Sequence, residues 1–185
     1  REDLASAFRM STRYAMFILV PLALGLFATA KPALTLFVGQ AYVQGSESLM
    51  ILAGTYAFAL SAAAAGPMLI ALGETRLSSL SSVATVAVSL LIAWLLTPPF
   101  GMLGAATARG VGMIFGAALT IVFLRTKVRL QFDLDGIKKS LIAAIVMAGV
   151  VILIETQLYS KYLMPAYIIV GAIVYLVMLR LLRAI

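Results

Sequence analysis

Six apolar runs divide this chain: Tyr14 to Ala30, Leu49 to Leu72, Leu77 to Leu96, Met102 to Leu124, Leu141 to Leu158 and Tyr162 to Leu182. Inside hydrocarbon no water is available to the backbone, so a spanning segment must pair its own N–H and C=O groups, as a helix or a closed barrel does. Barrel strands alternate apolar and polar residues over about ten positions. These runs are continuous and longer, so they read as helices. Crossing takes about 20 residues, and four of the runs meet that length comfortably. The first has 17 residues, and "KPALTLFVG" extends it past an expected break at Pro32. The fifth carries Glu155 and has 14 uninterrupted apolar residues from Leu141. Its flanking Lys138 and Lys139 can snorkel and let a short span cross. The expected fold is an all-α polytopic membrane protein with six transmembrane helices.

Composition agrees. Of 185 residues, 63% are hydrophobic and 11% charged, against about half and about a quarter in a soluble domain. Cysteine and histidine are both absent, which removes disulfides, the usual zinc sites and a histidine base. Of the seven acidic residues only Glu155 falls near a span. No pair of carboxylates is spaced to hold magnesium beside a phosphate, and no glycine-rich loop precedes a lysine. The chain is therefore expected to be no enzyme, with no catalytic residue, metal or cofactor; moving or holding something is left. The opening "REDLASAFRM" reads as the interior of a longer protein.

Loop charge gives an expected orientation. With alternating spans, Arg1, Arg9, Arg13, Arg76, Arg125, Lys127, Arg129, Lys138, Lys139, Arg180 and Arg183 share one side, and Lys31 and Lys161 the other. Both termini are then cytoplasmic. The net charge of +7 expresses topology and contact with anionic membrane lipids, not nucleic-acid binding.

Several polar or bending residues sit inside spans. Ser78, Ser82, Thr85 and Ser89 follow at spacings of four, three and four, on one helical face. Such a face packs against a helix or lines a polar cavity. Gly66-Pro67 and Pro21 each remove a helix hydrogen bond and are hinge candidates. Gly112 and Gly116 form a small-xxx-small pair that permits close helix approach. Arg109, always charged, shares a face with Ala105, Gly112 and Gly116 and lies roughly 10 Å of helix rise past Met102. It either binds an anion in a cavity, or snorkels outward or pairs with Glu155 or helix carbonyls.

The order of short motifs adds a resemblance. Pro21 opens an apolar helix; Phe37-Val38-Gly39-Gln40-Ala41-Tyr42 follows in an outer segment. Ala71-Leu72-Gly73-Glu74-Thr75 forms an inner turn, and Pro99-Phe100-Gly101 through Gly104-Ala105-Ala106 an outer one. This pattern, over roughly residues 1 to 140, resembles the second half of prokaryotic polysaccharide flippases. These are O-antigen and oligosaccharide exporters of the multidrug/oligosaccharidyl-lipid/polysaccharide exporter superfamily. Val38 departs from it as an extra residue between Phe and Gly.

The resemblance implies the C-terminal lobe plus the trailing helix pair of a fourteen-helix, two-lobed transporter in the plasma membrane. Residues 1–127 would be the lobe portion, 128–140 a basic cytoplasmic linker and 141–185 the trailing pair. The implied activity is alternating-access flipping of a lipid-pyrophosphate-linked oligosaccharide, with the N-terminal half of the same polypeptide as partner. Arg109, Ser78, Ser82, Thr85 and Ser89 are its cavity candidates. Two other classes stay open: a drug or cation antiporter of the same superfamily, and a self-contained six-helix structural or channel protein. The antiporter would be expected to carry intramembrane carboxylates.

Overall fold

The computed structural model describes residues 2–128, 134–157 and 164–182, with side chains for residues 9–60, 62–128, 135–157 and 165–182. Regular structure among them is helical throughout: α1 (Glu2–Ala28), α2 (Ala30–Phe37), α3 (Ser46–Ala59), α4 (Ala65–Ala71), α5 (Thr75–Lys127), α6 (Leu134–Gln157) and α7 (Met164–Leu181), with 3₁₀ turns at Gln40–Gly45 and Leu60–Ala62. Arg1, Arg129, Lys161 and Arg183, used above for orientation, lie outside the described residues.

Three of the described helices are long and apolar enough to cross a membrane: α1 from Arg9, α5, and α6 from Asp135. The 53 residues of α5 would run about 80 Å if straight, far beyond a hydrocarbon core of about 30 Å. The helix folds back at Gly101, where φ is 55° and ψ −127°, a backbone region that glycine enters without a Cβ penalty. Its arms, 75–100 and 102–127, make two passes. A third pass is broken into α3, the 3₁₀ turn and α4, and α7 has only 18 residues. The expected six is thus an approximate count.

Two sequence expectations shift by a turn. A proline ring clashes with the carbonyl four residues earlier and cannot donate to it. The break expected at Pro32 accordingly falls at Thr29, beside the Ala28 carbonyl, and Pro32 sits inside α2. The kink expected at Gly66-Pro67 lies at Leu60–Ala64, around the carbonyl of Ala63, and Pro67 occupies the first turn of α4. Pro98 and Pro99 lie within α5, and Gly101 alone reverses the chain.

The inner turn "GETR" is as tight as its sequence suggests. Gly73 donates to the carbonyl of Ile70 and Glu74 to that of Leu69, the paired bonds of a Schellman cap, with Gly73 at φ 78°.

Two helix groups result. In one, α6 packs along α1 and against α7. Met16 and Val20 meet Ala143, Ala144 and Met147 in a shared cluster, and Ala28 meets Ala148 and Val151 in the next. The pairing advances together along both helices, so α1 and α6 run parallel. In the other group, α3 and α4 pack on α5. Contact between α1 and α3 joins the groups. This arrangement brings Arg9, Arg13, Arg76, Arg125, Lys127, Lys138, Lys139 and Arg180 to one end of the molecule and Lys31 to the other.

Candidate functional site

The α5 hairpin closes by a regular register. A methyl group on Gly104 would overlap the Leu96 carbonyl, on Gly112 the Ser89 hydroxyl, and on Gly116 the Thr85 hydroxyl. At the base Lys127 Nζ lies 2.5 Å from Glu74 Oε1. Residue numbers across these pairs sum to 200 or 201, so the arms are antiparallel and locked without slip from tip to base. Gly104, Ala108, Gly112 and Gly116, all buried, recur every fourth residue and form the seam. In lipid, helices associate through close packing rather than hydrophobic gain, and small residues make that approach. A second small edge, Ala106 and Gly110, faces α3, where Thr55 would meet a methyl on Gly110.

Where α3 gives way to α4 the helices part and leave a groove of about 280 Å³. One wall is Ala59, Ala62, Ala63 and Gly66 from the broken pass. The other two are Ser78, Ser81, Ser82 and Thr85 from the first arm of α5 and Met113, Gly116, Ala117 and Thr120 from the second. The groove exists because the walls are small: a bulky residue at Gly66, which has open space where its Cβ would stand, would fill it.

Four of its five hydroxyls donate to their own helix. Ser82 donates to the Ser78 carbonyl (3.1 Å), Ser81 to the same carbonyl (2.8 Å), Thr85 to that of Ser81 (2.7 Å) and Thr120 to that of Gly116 (2.7 Å). With those four protons used, their oxygens present lone pairs to the groove. Such a surface accepts hydrogen bonds from neutral donors and offers an anion little.

The predicted residues do not all gather here. Ser78, Ser82 and Thr85 line the groove; Ser89 does not. Its hydroxyl is buried against Gly112 with no hydrogen-bond partner among the described residues, and it serves the hairpin seam. Arg109 is exposed and forms no ion pair or hydrogen bond with the described residues. On the wheel it leads through Met113 and Gly116 to Thr120 at spacings of four, three and four, so it stands one turn outward on the groove side. That differs from the expected face. Gly112 is buried in the seam, and Met113 shares Arg109's side together with Gly116.

Glu155 lies on α6 within electrostatic reach of Lys31, and its helix belongs to the other group. Pro67 is exposed at the start of α4, and Pro21 lies within α1, away from the groove. Ser81 and Thr120 were missed by the sequence reading, yet both carry a legible signal. Ser81 stands three residues after Ser78 and four before Thr85, and Thr120 four after Gly116.

No protein-family model matches the chain. It is 24% identical over 168 residues to the probable low-salt glycan biosynthesis flippase Agl15 of Haloferax volcanii, spanning 91% of this chain and 36% of that relative. Among solved structures, the lipid II flippase MurJ in its inward closed conformation superposes with a TM-score of 0.84 at 16% identity. That match covers 96% of this chain and 39% of MurJ, and it shows the fold. The chain thus spans just over a third of the length of each. One is a probable flippase and the other a flippase, and the resemblance drawn from the motif order is borne out.

Proposed function

We propose that this chain is the C-terminal part of a transporter that flips a lipid-pyrophosphate-linked oligosaccharide across the plasma membrane by alternating access. The observation that carries the proposal is the groove beside Arg109, on a fold of which 96% superposes on part of a lipid II flippase. The two kinds of polar group divide the work. Hydroxyl oxygens with spent protons suit the O–H donors of a sugar. A guanidinium one turn outward supplies the charge-assisted, bidentate donors that a pyrophosphate takes. The N-terminal half of the longer polypeptide would close the cavity from the opposite side.

Both termini are assigned to the cytoplasm, because the end that gathers Arg76, Arg125, Lys127, Lys138 and Lys139 is the one the positive-inside rule keeps there. A membrane-impermeant thiol reagent applied outside should label Lys31→Cys and spare Lys139→Cys. The reverse pattern would invert the topology.

Proteoliposomes of the full-length protein, loaded with a lipid-linked oligosaccharide, test the function. Arg109→Ala should cut translocation about tenfold or more, the loss of one charge-assisted contact, with insertion and abundance near normal. Arg109→Lys should recover part of it, since an ammonium keeps the charge and loses the bidentate fork. Wild-type rates in both variants would make Arg109 a packing residue and remove the cavity assignment.

A further inference from the structure

The proline at position 21 raises a question that α1 alone does not answer. An α-helix bonds each N–H to the carbonyl four residues back. Pro21 has no N–H, so the carbonyl of Phe17 loses its partner. That carbonyl is partly buried, on a stretch where Val20 is 0% exposed and Met16 3%. A buried polar group without a partner is destabilising.

A partner arrives from 158 residues away. Tyr175 Oη on α7 donates to the Phe17 carbonyl at 2.9 Å. Ser140 Oγ on α6 stands 3.1 Å from Tyr175 Oη and 3.2 Å from the Met16 carbonyl. Ser140 is fully buried and Tyr175 is 6% exposed. Two hydroxyl protons serve three contacts. Tyr175 commits its proton to Phe17, and Ser140 donates either to Tyr175 or to Met16.

We propose that Tyr175 and Ser140 form a latch that replaces the backbone hydrogen bond removed by Pro21, so that α6 and α7 set the conformation of α1 at its proline. Pro21 is then no free hinge. The trailing helices hold it, and α1 can change its course there only when the Tyr175 hydroxyl lets go or travels with it. The latch stands independently of the transport proposal, because its test reads structure and stability.

The test is a double-mutant cycle in the full-length protein, read as the thermal midpoint in detergent. Tyr175→Phe keeps the ring and removes the donor, and should lower the midpoint by about 2 °C. Ser140→Ala should give a smaller drop of the same sign, since Tyr175 keeps its own proton on Phe17. Pro21→Ala restores the backbone donor to Phe17, so adding Tyr175→Phe to it should lower the midpoint by less than half as much. Spin labels at Met10→Cys and Leu26→Cys, both exposed and on opposite sides of Pro21, give a second readout. Tyr175→Phe should broaden their distance distribution with Pro21 present and leave it unchanged in the Pro21→Ala background. Equal midpoint losses in both backgrounds, with no broadening in either, would overturn the latch.

Discussion

The two helix groups solve one problem by opposite means. Lipid tails are as apolar as leucine, so burying apolar surface gives membrane helices little reason to associate. Around α1, α6 and α7, Met16, Val20, Met147 and Leu179 fill the space between helices, and hydroxyls bond across from one helix to another. Around α5 the reverse holds. Glycines bring backbones together, and the hydroxyls of Ser81, Ser82, Thr85 and Thr120 bond within their own helix. The first device fastens. The second leaves polar oxygens free on one side and a groove beside them, which is where a transported molecule can be met.

The contrast is most exposed to substitution at glycine. Gly116→Leu should be the most damaging change, about 3 kcal/mol or more, because the Thr85 side chain occupies the space. Gly149→Leu on α6, where no atom lies within 4 Å of the new Cβ, should stay within about 0.5 kcal/mol. Thermal unfolding of the full-length variants measures both, and similar losses would erase the distinction between seam and open surface. Pro67→Ala should leave abundance intact while slowing translocation several-fold, about 1 kcal/mol in the barrier. An unchanged rate would make the break at Leu60–Ala64 a tolerated irregularity, and the α3–α4 pass as rigid as the α1 group. The smallest effect belongs to Lys127→Gln. Its pair with Glu74 is 41% and 32% exposed, and a partly solvated pair contributes about 0.5 kcal/mol. That difference should vanish at about 1 M salt; a persistent one would show that the hairpin base is closed as tightly as its seam.

Much of the fold was legible because its signals are local. Continuous apolar runs give the helices, the hydroxyl period gives one groove wall, and "ALGET" gives the inner turn. The breaks were displaced because a proline acts on the carbonyl four residues earlier, not on itself. The surroundings of Arg109 were only half legible. A helical wheel fixes its angle to Gly112 and Met113, but not that the first arm of α5 covers Gly112. The pairing of Phe17 with Tyr175 leaves no local trace, since neither residue's neighbours mention the other. The motif order carried the resemblance further than any single residue, because order and spacing together constrain more than each short motif alone.

The constant register of the α5 hairpin also bears on how the chain assembles as it is made. Its contacts have the shortest loops next to Gly101, at Leu96 and Gly104, and grow outward to Glu74 and Lys127. Each closed pair shortens the loop that the next must close, so the arms can zip from the tip as soon as both have left the ribosome. The hydroxyl partners of α1 come much later. Met16 waits 124 residues for Ser140 and Phe17 waits 158 for Tyr175, roughly six to thirty seconds at ordinary rates of synthesis. Through that interval the Phe17 carbonyl beside Pro21 lacks the Tyr175 hydroxyl that holds it in the folded chain.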